Sequence, residues 1–462
     1  MLALAAISGT AATTGAHSDH SPLQLHPDNP HYFLFRGKPT LLITSGEHYG
    51  ALLNLEFDFN AYFAELHKHG LNLTRTFCGT YREVPGSFNI TQNTLAPEPG
   101  QYLAPWARSS EPGYALGGNK FDLNLWDPAY FKRLHAFMRA ASAAGVVVEM
   151  NLFCPNYEAS LWHANPMYTG NNVNSVGNCP PDEAYTLKHP DLLNTQLSVV
   201  RKLVAELAAY DNLYYEVCNE PYFGGVTMEW QKRVIHEIQA AETGMKHPHL
   251  ISLNIANGSA SITEAVPGVS IFNFHYATPP DTVGLNYHLN KVIGDNETGF
   301  RGSADLLYRS EAWEFLLAGG ALYNNLDYSF SVAHPSGDLS GYHSPGGGSP
   351  ALRHQLSILK KFMEGADLLH LQPSQSLLMG GLPAQTAFRV LANPQKHVLV
   401  YLRGGRPESM EVLLHSGKYH IQWIDPEDGH TIQQTEMHHD GEICRIAVPI
   451  YKDDVAVKIT RK

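Results

Sequence analysis

Residues 214 to 223 read YYEVCNEPYF, an apolar and aromatic run that breaks off abruptly at Asn219, Glu220 and Pro221. As a strand ending at Glu220, this run has a period of two, which places Glu216, Cys218 and Glu220 on one face with Glu220 last. Pro221 biases the residue before it toward extended backbone angles. The expectation is therefore a carboxylate carried on a stiff strand end. Alone, the stretch could equally be a solvated strand end closed by a proline, so the rest of the chain has to assign it.

Seven further runs share the character of a strand with apolar residues on both faces: PTLLITSGE, LNLTRTFC, VVVEMNLF, HLISLNIA, VSIFNFHYA, KVIGDNETG and ALYNNLDYS. Helical periods lie between them, as in FDFNAYFAELHKHG and PAYFKRLHAFMRAASAAG, opening on Asp and closing on Gly as capped helices do. The segment PDTVGLNYHLN gives only a short helix. Eight such units predict a closed (β/α)8 barrel over an open doubly wound sheet. We place it at residues 21–370. From residue 371 to 462 the helical period gives way to short strands split by Gly, Asn, Asp and Pro, which predicts a β-sandwich domain packed on the barrel.

The 462 residues carry 32 basic and 44 acidic side chains, a formal charge of −12 that argues against a nucleic-acid partner. No apolar window reaches the length of a membrane span. Residues 1–20 begin with MLALAAISGTAATTGA, which resembles the end of an export signal without its basic start; the other reading is an N-terminal tail. On the first reading the protein is secreted or periplasmic. Five cysteines in no CxxC spacing are too few for a disulfide framework. Cys154 and Cys179 could pair in an oxidising compartment, and Cys218 reads as a small core residue.

Barrel sites lie at the C-terminal ends of the strands. Glu220 ends the fourth strand. In VIGDNETG, Asp295 and Glu297 share a face by the period of two, and Glu297 ends the seventh. Strands four and seven face each other across the mouth, so two rim carboxylates there can approach to about 5 to 5.5 Å, the separation used for retaining glycoside hydrolysis. Long insertions follow strand two (79–126) and strand three (154–189). They carry Tyr81, Tyr102, Trp106, Tyr114, Trp126, Tyr157, Trp162 and Tyr168. Some of these rings could wall a cleft, and at least half are expected to anchor the loops themselves.

On these residues the chain resembles the clan A glycoside hydrolases, the retaining (β/α)8 enzymes that include the family 5 cellulases and mannanases. The resemblance implies that Glu220, in Asn-Glu-Pro, is the acid/base and Glu297 the nucleophile. It also implies that Asn219 holds a sugar hydroxyl and that Arg75, in NLTRTF, supports the nucleophile. Arg75 could also be an interior counter-ion to Glu216. The clan's strand-six His and Tyr fall on His275 and Tyr276, adjacent here, so that without a bulge at most one can point the usual way. The Trp that commonly ends strand eight is absent, leaving Tyr323 and Tyr328. Tyr328 and Trp162 are carried as sugar contacts. Glu47 and His48, in TSGEHYG, could touch hydroxyls or brace the barrel mouth.

The resemblance implies a carbohydrate substrate with β-linkages, no cofactor and no metal. Under this mechanism the charge of Glu297 should raise the pKa of Glu220. A metal-dependent hydrolase is the first rival, prompted by 25 His, but HKH at 67–69, HPH at 247–249 and HH at 438–439 do not lie at strand ends. The other readings are a non-catalytic glycan-binding barrel and a transglycosylase with the same residues.

Overall fold

The computed structural model describes residues 21–462, so the export-signal reading of residues 1–20 lies outside the described residues. Eight parallel strands form one sheet: β1 (Leu42–Gly46), β2 (Leu73–Phe77), β3 (Val147–Asn151), β4 (Leu213–Glu216), β5 (Ile251–Asn257), β6 (Ile271–His275), β7 (Val292–Thr298) and β8 (Leu322–Leu326). Their order around the sheet is 1-8-7-6-5-4-3-2, with β8 paired to β1 from Leu322 opposite Leu42 to Leu326 opposite Gly46. All eight predicted strands are present. The seam between β1 and β2 has no regular ladder: the Asn72 N–H donates to the Ile43 carbonyl at 3.2 Å, and the Asn72 side chain adds two further bonds. Asn72 accepts from the Ile43 N–H at 3.0 Å and donates to the Leu41 carbonyl at 2.8 Å, standing in for backbone pairing.

Helices α1 (Phe59–His69), α2 (Pro128–Ala144), α3 (Pro190–Leu207), α4 (Met228–Ala241), α5 (Asp281–Asn286), α6 (Asp305–Leu317) and α7 (Pro350–Glu364) surround the sheet. Their ends follow the capping residues. Asp58 accepts from Asn60 and Ala61 N–H at the start of α1, and Gly70 closes it at φ +67°. The short α5 is the weak unit anticipated from sequence, and among the described residues no helix connects β5 to β6. Below the barrel, a small antiparallel sheet (Gln24–Leu25, Phe33–Phe35, Lys38–Thr40) is tied to the start of β4 by Arg36, bidentate on Asp211 at 2.7 and 2.9 Å.

After α7 the chain forms a six-stranded and a three-stranded antiparallel sheet enclosing their own apolar core. The seam with the barrel runs along α6, which is buried from Tyr308 to Leu317. Trp313 stacks on Tyr401 at 5.4 Å and 13°, and Arg309 holds Asp454 through Nη2 at 2.8 Å and Nε at 3.1 Å. A helix sandwiched between two layers needs no polar face, which is why its sequence lacks a clear amphipathic stripe. All five cysteines are free, so Cys154 and Cys179 do not pair, and Cys218 is buried.

Candidate active site

Glu220 and Glu297 meet at the mouth of the barrel, with carboxylate oxygens within 4.8 Å of each other and of a His275 ring nitrogen. The backbone that brings Glu220 there is not the one its proline suggests. Strand β4 stops at Glu216, and Glu220 sits at φ +36°, outside the extended region. The chain reverses over Glu220-Pro221-Tyr222-Phe223, closed by the Phe223 N–H donating to the Glu220 carbonyl at 3.0 Å. Proline suits the second position of such a turn, and the turn outweighs its preference for an extended predecessor.

On the other side, β7 is bulged. Phe274 pairs with Asp295 but His275 pairs with Glu297, so Asn296 is the extra residue. The bulge overturns the expectation that Asp295 and Glu297 share a face. Asn296 turns into the barrel, donating to Glu149 at 2.7 Å and Glu216 at 2.8 Å, while the fully buried Asp295 carboxyl is raised well above its ordinary range by burial and by the charge of Glu311 on α6. Next to the bulge, Tyr276 adopts φ +54°. Together these let the adjacent His275 and Tyr276 both reach the site. His275 Nδ1 lies 3.2 Å from Glu220 Oε1 and 3.6 Å from Glu297 Oε1, and the Tyr276 hydroxyl donates to Glu297 Oε1 at 2.5 Å.

Arg75 is buried beneath both carboxylates and bonds to Glu297 and to Glu216 alike. It donates to Glu297 Oε2 at 2.9 Å, to Glu149 at 2.7 Å, to Asn219 Oδ1 at 2.6 Å and to Glu216. One cation thus faces three carboxylates, and the interior separates their protonation. Burial and the charge of Glu216 push the Glu149 carboxyl up to about 8. Glu216 is lowered, because Arg75 and the Asn273 amide outweigh its burial. The Tyr214 hydroxyl at 2.5 Å completes the shell of Glu149.

Glu220 also departs from expectation. Burial pushes its carboxyl up, but the hydrogen bond and charge of His275 and the Tyr157 hydroxyl at 2.6 Å reverse this and bring it down to about 2. The reason is local: donors aimed at the carboxylate outweigh the negative charge of Glu297. Asn219 is fixed between the two halves of the site, accepting from Arg75 and donating to the Tyr157 hydroxyl at 2.7 Å.

The remaining predicted contacts divide. His48 lines the pocket and pairs with Glu83 at 3.2 Å, which raises its pKa against the effect of burial. Glu47 does not line the pocket: it accepts from Gly50 and Ala51 N–H and from the Thr94 hydroxyl at 2.7 Å, bracing the first loop against the insertion after β2. Trp162 does not reach the pocket either. Its ring is buried in the second insertion, donating to the Cys179 carbonyl at 2.9 Å, because a loop of that length needs its own core. Tyr328 lies behind His48, ring centres 5.6 Å apart, and does not line the pocket. Of the eight insertion rings, Tyr81 and Tyr157 line it.

Several pocket residues carried no signal in the sequence. Tyr49 donates to Glu297 Oε2 at 2.9 Å from a backbone at φ +56°, and Glu83, Phe88, Cys154 and Phe300 also line the pocket. The insertion holding Glu83, Phe88 and a short hairpin (Trp106–Pro112 with Asn119–Trp126) had read as loop. Only the period of two could have signalled a pocket residue, and it does not extend past a strand end.

Glu220, His275 and Glu297 have the atoms of a cation site. The Arg75 guanidinium already lies 2.9 Å from Glu297, however, and opposes a second cation there.

No family model and no curated protein matches this chain. Solved structures do. A glycoside hydrolase family 5 structure from Bacteroides vulgatus ATCC 8482 superposes at TM-score 0.65 with 12% identity, over 95% of this chain and 93% of that one. A structure named glycoside hydrolase gives 0.64 at 14% identity, over 96% and 97%. Another Bacteroides vulgatus chain gives 0.68 at 13% identity, over 98% and 84%. The chain shares their fold. At these identities the likeness establishes the barrel and its C-terminal sheets, and the chemistry rests on the residues.

Proposed function

We propose that this chain is a retaining glycoside hydrolase that cleaves β-glycosidic bonds by double displacement, with Glu297 as nucleophile and Glu220 as acid/base. The observation that carries the reading is the approach of their oxygens to within 4.8 Å across the barrel mouth. Inverting enzymes need about 6.5–9.5 Å to admit a water between the two groups. The names of the structures sharing the fold support the same class.

Three donors hold Glu297: Arg75 and Tyr49 on Oε2 and Tyr276 on Oε1. They fix its direction and leave it ready to attack an anomeric carbon. Glu220 in the free site is ionised, the form needed as base in the second step. For the first step it needs a proton. Substrate that fills the pocket strips water from the Glu220 carboxylate and so favours its protonated form next to the leaving oxygen. When the glycosyl-enzyme forms, the charge of Glu297 is consumed and Glu220 returns to its role as base.

The test is a panel of 4-nitrophenyl β-glycosides with the anomeric form of the first product read by NMR. Retained β-product, and a loss of at least about 10³-fold with Glu297→Gln, is expected. Inverted product would refute the assignment of roles.

A further inference from the structure

The loop after β7 brings a ring back toward the nucleophile. Three residues beyond Glu297, Phe300 lines the pocket and meets Tyr276 edge-on with ring centres 5.7 Å apart. Tyr276 is itself a donor to Glu297, so the Phe300 ring stands on the nucleophile's side of the carboxylate pair. It is also the most open ring of the pocket wall: Phe300 is 50% accessible, whereas Tyr49, Phe77 and Tyr81 are buried. Such a ring is apolar surface without a partner, suited to the C–H face of a sugar.

Phe300 does not favour this place by its own backbone. It sits at φ +58°, where a bulky residue is strained, and such a conformation persists only when its surroundings hold it. Helix α6 supplies the hold. The Tyr308 hydroxyl accepts from the Arg301 N–H at 3.4 Å and donates to the Gly302 carbonyl at 2.5 Å, and the Glu311 carboxylate accepts from the Arg301 guanidinium. Neither Arg301 nor Glu311 lines the pocket.

Building on the two-carboxylate reading, we propose that Phe300 is the ring on which the sugar attacked by Glu297 packs, and that the Arg301–Glu311 ion pair latches it there. Arg301 and Glu311 are then positioning residues, which act on the substrate by fixing one loop.

The latch carries a signature in pH. Burial pushes the Glu311 carboxyl up to about 7, with the Glu314 charge adding to it and Arg301 and Arg403 opposing it. The other groups that face it are Asp295 on β7, Tyr323 on β8 and Tyr308 on its own helix. All three are raised, so they keep their protons between pH 6 and 8, where Glu311 changes charge. Above about pH 7 Glu311 is ionised and the pair is made. Below it Glu311 is protonated and its hold on Arg301 weakens.

The experiment measures KM for wild type, Arg301→Gln and Glu311→Gln at pH 6 and 8, on the 4-nitrophenyl β-glycoside hydrolysed fastest. At pH 8 both variants should raise KM about two- to fivefold; at pH 6 they should match the wild type, which has lost the pair as well. A rise of the same size at both pH values, or none at pH 8, overturns the latch. For the ring, Phe300→Ala should raise KM about two- to tenfold, equally for the 4-nitrophenyl and the methyl glycoside, and Phe300→Tyr should keep the wild-type value. No rise, or a rise confined to the 4-nitrophenyl glycoside, overturns the assignment of the ring. With Glu297→Gln inactive, either failure leaves the two-carboxylate reading intact; hydrolysis that survives Glu297→Gln sinks both.

Discussion

Replacing Glu149 with Gln tests how the barrel interior stores its charge. The Glu149 carboxyl lies at about 8 against an ordinary 4.5, raised by burial and by the neighbouring Glu216 charge. At neutral pH it therefore holds a proton in the folded protein and loses it in the unfolded one. A group raised in this way contributes stability that is fully present below about pH 4.5 and is lost as pH rises to about 8. The loss runs at up to about 1.4 kcal/mol per pH unit. Gln copies the neutral acid: its oxygen can keep the bonds from Arg75 and Asn296, and its amide can face Tyr214. Urea unfolding of the wild type and Glu149→Gln between pH 4.5 and 8.5 measures the difference. The two should be within about 1 kcal/mol at pH 4.5, and the variant should gain on the wild type by up to about 1.4 kcal/mol per pH unit above it. A variant weaker by the same several kcal/mol at every pH would mean that Glu149 is an ionised partner of Arg75, and the reasoning would fail.

Arg75→Met should destabilise the fold by about 3–5 kcal/mol in denaturant melts, since it leaves buried carboxylates uncompensated. Glu216 is lowered in the fold, so its contribution is present at neutral pH and lost on acidification, and the deficit of Arg75→Met should shrink toward pH 4. His275→Ala should cost about 10²-fold or more in kcat/KM on glycosides with poor leaving groups and little on 2,4-dinitrophenyl glycosides, whose leaving group needs no proton. Gly50→Ala should destabilise by about 1–3 kcal/mol in thermal or denaturant melts and raise KM, because an added Cβ would lie 2.2 Å from the Thr94 carbonyl, where the insertion carrying Glu83 and Phe88 crosses the first loop.

The barrel was legible because its signals are local and repeated. Each strand is an apolar run, and α1 and α2 open on Asp and close on Gly. The short α5 could be read for the same reason. The hairpin from Trp106 to Trp126 could not, since its strands pack against insertion residues that no local period identifies. The β1–β2 seam was equally hidden: Asn72 reads as a turn residue, and its work as a backbone clasp depends on where β1 lies in space.

At the site, the two carboxylates and Arg75, His275 and Tyr276 could be named from sequence, whereas Tyr49 and the backbone that aims the others could not. The difference lies in backbone that side-chain periodicity does not describe. Tyr49, Glu220 and Tyr276 all have positive φ at the barrel rim. Without Cβ-free glycine at these positions, each conformation costs about 1–3 kcal/mol and persists only where surrounding bonds over-determine it. Those bonds are on the two rim carboxylates themselves: Tyr49 and Tyr276 both donate to Glu297, while Tyr157 and His275 converge on Glu220. The same contacts that strain the rim therefore aim the carboxylates. A reading that lets Pro221 extend Glu220 misplaces its side chain, and one that weighs only the charge of Glu297 expects a raised pKa. Glu220 is instead the first residue of a turn, with two donors closed over its carboxylate.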